Sequence, residues 1–373
     1  MDTGQFEAIG ADRDTRLEDA IKKTAPGTAL RHALDMIIAG HMGALICVGD
    51  TDNVLAAGDD GFKLDVSFTA NRLFELCKMD GAIVVDKDLT KILRANYHLN
   101  PNPSLPTSET GTRHRTAARM SLLTHATVIS VSERRAVVNV YVDGKGFELK
   151  PVSDIMASVN QIVVAMQNTR QQLDRSLLRL TSLELDNFVT LGDVTSILYL
   201  FEVLMTAGEE LNDCIIQLGS EGKITLMQRE EFLGGMDEAY TLMIRDYAAD
   251  SSEENALAIR RRLHETDNTK IRSAKSVAKI LGFTDERGED SVMTPLGLRT
   301  LSRVPVVREG MADKIVDQYG SLQEILEAVD DDPSRLGEIG VKNPAYTSVC
   351  VLTDKEETGS DGVTGLNSMY TFH

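Results

Sequence analysis

Two short clusters in this chain of 373 residues hold the side chains best suited to chemistry. The first, Met79-Asp80-Gly81-Ala82, follows a stretch of helical composition and enters the apolar run Ile83-Val84-Val85. Asp80 is therefore expected at a helix-to-strand junction, beside a glycine that lets a ligand approach the backbone closely. An aspartate in an ordinary turn before a strand leaves the same signature. The second cluster, Thr110-Gly111-Thr112-Arg113-His114-Arg115-Thr116-Ala117-Ala118-Arg119, reads as a loop leading into a helix. Its backbone N–H groups, the hydroxyls of Thr112 and Thr116 and the forked guanidinium groups of Arg113 and Arg115 can all donate to phosphate oxygens. The competing reading, a capped helix with solvated basic residues, sets arginines against the helix dipole.

Between the clusters, Tyr97-His98-Leu99-Asn100-Pro101-Asn102-Pro103-Ser104-Leu105-Pro106 carries three prolines in six residues. That predicts a stiff loop, bordering a ligand pocket or serving only as a rigid connection. Ser130, Ser132 and Glu133 end a strand-like run where a loop could return to the same place.

The elements that must position these residues follow from hydrophobic patterning. Leu17, Ala20, Ile21, Leu30, Leu34, Ile37 and Ile38 recur at helical spacing around Pro26-Gly27, which predicts two amphipathic helices. The apolar runs 43–48, 81–85, 126–131 and 136–142 read as buried strands, with helical segments at 70–78 and 116–123 between them. The first 150 residues thus read as an α/β domain with a central sheet. From Val152 onward the texture changes. Val159, Met166, Leu173 and Leu180 recur every seven residues, with Val163 and Leu177 between them, and helical patterns continue at 191–204, 209–218, 229–247 and 253–263. This is an all-helical spine. The charged segment 282–291 reads as a linker, 294–345 as several short helices, and 353–373 as a mobile tail.

The formal charge of −18 excludes indiscriminate coating of nucleic acid by bulk electrostatics. Residues 1–150 are nearly balanced, with 18 basic and 20 acidic side chains, so an anionic ligand meets least repulsion there. Four widely spaced cysteines, Cys47, Cys77, Cys214 and Cys350, suggest neither a disulfide framework nor a zinc site. No apolar stretch approaches the roughly 20 residues of a bilayer span and the amino terminus is polar, which predicts a cytoplasmic protein with no membrane contact.

Asp80-Gly81-Ala82 followed some thirty residues later by Thr112-Arg113-His114-Arg115-Thr116-Ala117, in an α/β domain with a helical continuation, resembles the diadenylate cyclase family, and within it the DNA-integrity-scanning members. The resemblance covers roughly residues 10–345. It implies an α/β cyclase domain with a central mixed sheet (10–150), an all-α spine (151–290), a helix-hairpin-helix module (291–350) and a flexible tail (351–373). The implied reaction condenses two ATP into cyclic di-AMP with release of two diphosphates, on cyclase domains placed face to face within a homo-oligomer, an octamer in the family. By the same resemblance Asp80 lies by the ribose 3′-hydroxyl and a Mg²⁺ or Mn²⁺ ion, with His114 a second metal contact. Gly81 and Ala82 approach the nucleotide, Leu99 lies beside the adenine, and Thr112, Arg113, His114, Arg115 and Thr116 hold phosphates, with Ser132 a further contact. Histidine as general base stays open beside ligation or hydrogen bonding.

Leu301-Ser302-Arg303-Val304-Pro305-Val306-Val307-Arg308-Glu309-Gly310, Tyr319-Gly320-Ser321-Leu322 and Leu336-Gly337-Glu338-Ile339-Gly340-Val341 resemble paired helix-hairpin-helix units. These imply binding of branched DNA through backbone amides, with inhibition of synthesis. Lys342-Asn343-Pro344 after Gly340 departs from that pattern, leaving the second hairpin either working or structural. Two rival readings remain: a nucleotide-binding DNA-scanning scaffold without turnover, and an ATP-binding regulatory protein with an unrelated helical extension.

Overall fold

A computed structural model describes residues 15–304, 307 and 310–331, which fall into two compact units. The first lies within residues 1–161 and 211–227, the second within 162–210 and 228–373.

The first unit is built on an eight-stranded mixed sheet. Helices α1 (15–23) and α2 (Ala29–Ala39) precede β1 (Ala44–Val48), α3 (Thr51–Ala56), β2 (Gly58–Asp59), β3 (Phe62–Ser67) and α4 (Ala70–Leu76). There follow β4 (Ala82–Val85), β5 (Lys91–Leu99), α5 (Thr112–Leu123), β6 (Thr127–Ser132), β7 (Val137–Val142) and β8 (Lys145–Leu149). The strand order is β2-β5-β4-β1-β6-β7-β8, with β3 also paired to β5. Among the described strands only β1 and β4 run parallel, Ile46 opposite Ile83 and Val48 opposite Val85. Both are buried along their whole length, as strands covered on two faces must be. Alternate residues feed two cores. Ile46, Val48, Ile83 and Val85 pack with Leu34 and Ile37 of α2 and Leu73 of α4. Leu45, Cys47, Ala82 and Val84 pack with Ala117, Ala118 and Met120 of α5.

The four predicted strands and the helix pair at the start are present. The loop expected over 97–106 starts later, because Tyr97 pairs with Ala82 and Leu99 with Gly58, which makes 97–99 the end of β5. The prolines restrict the chain only from Asn100 onward. Nor is 110–116 a loop: α5 begins at Thr112, so Arg113, His114 and Arg115 belong to its first turn.

The helical elements continue with α6 (Val152–Leu185), α7 (Leu191–Leu218), the 3₁₀ turn Gly219–Gly222, α8 (Lys223–Leu233), α9 (Met236–Tyr247) and α10 (Glu253–His264). Last come α11 (Asn268–Ile271), α12 (Ala274–Ile280), α13 (Leu298–Ser302), α14 (Met311–Tyr319) and α15 (Leu322–Asp331). The seven-residue seam of α6 (Val159, Met166, Leu173, Leu180) is buried inside the chain, and so is not an open seam for another copy. The helices expected at 191–204 and 209–218 are one helix. Gly208 lies inside it because a Cβ there would meet Leu233 Cδ1 at 2.7 Å. Part of Leu191–Tyr247 is long and apolar enough for a membrane span, but 56% of that window is buried in the fold.

The expected linker at 282–291 is packed: Leu191 and Gly192 donate their N–H groups to the carbonyls of Ser291 (2.8 Å) and Glu289 (2.9 Å). Helices α13 to α15 share a core, Leu298, Leu301, Ile315, Ile325 and Val329, against Leu242 of α9. The second hairpin around Gly340, Cys350 and the tail 351–373 lie outside the described residues.

Candidate active site

The N-terminal ends of β1 and β4 and the C-terminal ends of their antiparallel neighbours β5 and β6 meet at one end of the sheet. A cavity of about 780 Å³ opens there, closed on one side by the start of α5. Nine of the ten predicted site residues line it: Asp80, Gly81, Ala82, Leu99, Thr112, Arg113, His114, Thr116 and Ser132. Residues from five separate elements thus converge on one space.

Asp80 is exposed in the turn between α4 and β4, while its carbonyl accepts from Asn96 Nδ2 at 2.8 Å. Gly81 has φ +87°, and a Cβ on it would come within 2.8 Å of the Asn96 carbonyl carbon, so this position requires glycine. The turn is thereby held against β5, leaving the Asp80 carboxylate on the cavity wall.

Gly111 caps α5 without a side-chain bond, so the N–H groups of its first turn point to the cavity end with the positive pole of the helix behind them. Arg113 Nη1 reaches the carbonyl of Val131 at 3.4 Å, fastening the guanidinium to β6. Lys78 and Arg134, which lie outside both sequence clusters, add two more cations to the lining, against the carboxylates of Asp80 and Glu133. Arg115 lies two residues, about 200°, around the helix from Arg113. It is exposed and does not line this cavity.

His114 is 7% exposed. Its Nδ1 lies 2.9 Å from the hydroxyl of Tyr141 on β7, and that hydroxyl donates to Glu109 Oε1 at 3.0 Å. Burial lowers the pKa of the imidazole, with Arg135 and Arg113 adding to the effect and Glu109 opposing it, which favours the neutral ring. Burial also raises the Tyr141 hydroxyl, reinforced by Glu109. Cys77, in the same lining, is pushed up to about 12 by burial despite the nearby charge of Arg113, and stays a neutral thiol. Neither Glu109 nor Tyr141 could be found from local sequence, since 32 residues separate them and only the β6–β7 pairing places Tyr141 under α5.

The residues fit a divalent cation of the Mg²⁺ type, which keeps water and substrate oxygens and needs one or two carboxylates. Among the described residues no three His, Cys, Asp or Glu side chains gather as a complete ligand set. Asp80 would supply the carboxylate, and phosphate oxygens would have to complete the shell.

The chain matches the family models described as DisA bacterial checkpoint controller nucleotide-binding, over residues 31–146, and DisA bacterial checkpoint controller linker region, over 149–289. A curated relative from Symbiobacterium thermophilum, named DNA integrity scanning protein DisA, is 38% identical over 322 residues, 86% of this chain and 91% of its own. One of the same name from Corynebacterium glutamicum is 38% identical over 328 residues, 87% of this chain and 90% of its own. The solved structure of DacA from Staphylococcus aureus is 25% identical, covering 36% of this chain and 87% of its own with a TM-score of 0.27.

Proposed function

Because the chain belongs to the DisA family of diadenylate cyclases, we propose that it condenses two ATP into cyclic di-AMP and releases two diphosphates. The observation that carries this reading is the convergence of nine expected site residues, seven of them from the two motifs, on one cavity of about 780 Å³.

Each ribose 3′-oxygen attacks the α-phosphorus of the other nucleotide in line. The new 3′O–P bond forms as the bond to the β-phosphate oxygen breaks, and diphosphate carries off the charge. Positioning and charge stabilisation dominate such a step. Arg113, Lys78 and the first-turn N–H groups of α5 bind phosphate oxygens, with the hydroxyls of Thr112 and Thr116. Gly81 lets the ribose approach the backbone, and Leu99 offers an apolar edge to the base. Asp80 accepts the 3′-hydroxyl proton, and it would also hold a Mg²⁺ or Mn²⁺ ion, with His114 Nε2 as a second ligand. The ion, when bound, neutralises the charge that builds on the phosphate. One cavity holds one nucleotide, so two chains must face each other, and Arg115, outside its own cavity, is available to the opposite half. A cytoplasmic octamer of paired cyclase domains is the assembly proposed.

The carboxy-terminal helices are proposed to engage branched DNA and reduce synthesis. Support comes from Gly310, at φ +72° immediately before α14, a glycine-then-helix arrangement of the kind that presents helix-start amides to a phosphate.

The test is incubation of the purified protein with ATP and Mg²⁺ or Mn²⁺, with and without a four-way DNA junction. Cyclic di-AMP is expected from the wild type and not from Asp80→Asn or Arg113→Ala, and less of it with the junction. An assembled protein that binds ATP yet forms no product with either metal would replace this reading with a nucleotide-binding scaffold.

A further inference from the structure

Glu109 and Tyr141 belong to neither motif, yet they fix what His114 can do. A phenolic hydroxyl has one proton. Tyr141 donates that proton to Glu109 Oε1 at 3.0 Å, so towards His114 it offers only lone pairs. The His114 Nδ1 that lies 2.9 Å away must then be the protonated ring nitrogen. His114 lines the cavity and Tyr141 does not, which leaves Nε2 as the polar ring atom available to the cavity. Tyr141 is 1% exposed, which shields its hydroxyl from bulk water.

We propose that Glu109 and Tyr141 are positioning residues that hold His114 in the Nδ1-protonated tautomer, so that Nε2 meets the bound nucleotide as a hydrogen-bond acceptor or cation ligand and not as a phosphate donor. This rests on the cyclase reading and refines it. An Nε2 lone pair repels phosphate oxygens, so phosphate binding falls to Arg113, Lys78 and the helix-start amides, while His114 acts toward a hydroxyl proton or a divalent cation. A carboxylate behind an imidazole sets the tautomer in this way in hydrolytic triads and in metal sites. Here a tyrosine hydroxyl relays the effect. The loop bearing Glu109 is held in turn by Thr107, whose Oγ1 accepts the Glu109 N–H at 3.2 Å.

The test has two arms. In protein labelled with ¹⁵N at histidine only, the His114 signals are assigned by their loss in His114→Gln. The nucleotide-free wild type should show a protonated Nδ1 and a bare Nε2. Glu109→Ala frees the Tyr141 proton to turn to Nδ1, and the ring proton should move to Nε2. Glu109→Gln keeps a carbonyl acceptor and should restore the wild-type pattern. In the second arm, kcat for cyclic di-AMP should fall about 10- to 100-fold in Glu109→Ala, the range for residues that orient a ligand. KM for ATP should change less than threefold, with recovery in Glu109→Gln. A wild type protonated at Nε2, or a tautomer unchanged by Glu109→Ala, overturns the proposal. So does a moved tautomer with unchanged kcat. If the wild type makes no cyclic di-AMP at all, the cyclase reading fails, and the ¹⁵N arm still decides the tautomer by itself.

Discussion

Gly43 and Arg113 occupy complementary space. A Cβ built on Gly43 would lie 2.1 Å from Arg113 Nη1 and 2.6 Å from Cζ. The missing side chain before β1 is the slot in which the guanidinium lies against β6. Gly43→Ala must therefore push the end of Arg113 out of place. Since that end is a flexible tip, the fold should absorb the change. ATP turnover is expected to fall at least about tenfold, one lost charged contact, with Tm within a few degrees of wild type. An alanine variant with full turnover would show that Arg113 works from another position.

Gly81 poses the opposite case. Here the obstacle is backbone, Asn96 C at 2.8 Å and Tyr97 N at 3.0 Å, and φ is +87°. Gly81→Ala should lower stability by about 1–3 kcal/mol and abolish turnover, because the Asp80 turn cannot stay against β5. Thermal unfolding and product formation measured on the same sample check both halves. Unchanged Tm would contradict the strain argument.

Arg113 and Arg115 are separated by function as well as by angle. Arg113 lines the cavity and Arg115 is exposed outside it. ATP affinity, measured by calorimetry with non-hydrolysable nucleotide, should weaken at least about tenfold in Arg113→Ala and less than about threefold in Arg115→Ala. Turnover should fall in both if Arg115 serves the opposite half-site. Equal losses of affinity would put Arg115 in its own cavity.

What the sequence could disclose follows from where the determinants lie. Asp80-Gly81 and Thr112 to Thr116 each gather their chemistry within a few consecutive residues, so type and spacing were legible. The strands β1, β4, β6 and β7 are continuous apolar runs, which only a buried strand or helix explains. Strand β5 was not legible, because Lys91, Arg94 and Asn96 interrupt its apolar positions and its pairing with β4 shifts register twice. The Gly43 slot, the Tyr141–Glu109 relay and the packing of 282–291 each depend on residues distant in sequence. The continuity of α7 through Gly208 depends on Leu233, which only the fold brings there.

Asp246 makes the behaviour of the second unit with pH predictable. It is 2% exposed, and its carboxylate accepts the N–H groups of Gly297 (3.0 Å), Leu298 (2.7 Å) and Arg299 (3.0 Å), which fixes the start of α13 to α9. The Arg299 guanidinium pairs with Glu184 of α6, and Tyr247 donates to the same Glu184 at 2.6 Å. Burial, reinforced by the charge of Glu184, pushes Asp246 up to about 7, against the pull of Arg299 and the backbone donors. The folded chain therefore keeps a proton that the unfolded chain, at an ordinary 3.8, releases between about pH 4 and pH 7. The stability this supplies is complete below pH 4, falls as pH rises through that window and is gone above about 7. Asp246→Asn cannot titrate, and its NH₂ group faces the Arg299 N–H. It should be less stable by about 1–3 kcal/mol at low pH but lose less on going from pH 5 to pH 8. Melting curves at pH 5, 6, 7 and 8 compare the two slopes, and parallel slopes would mean that Asp246 is ionised throughout.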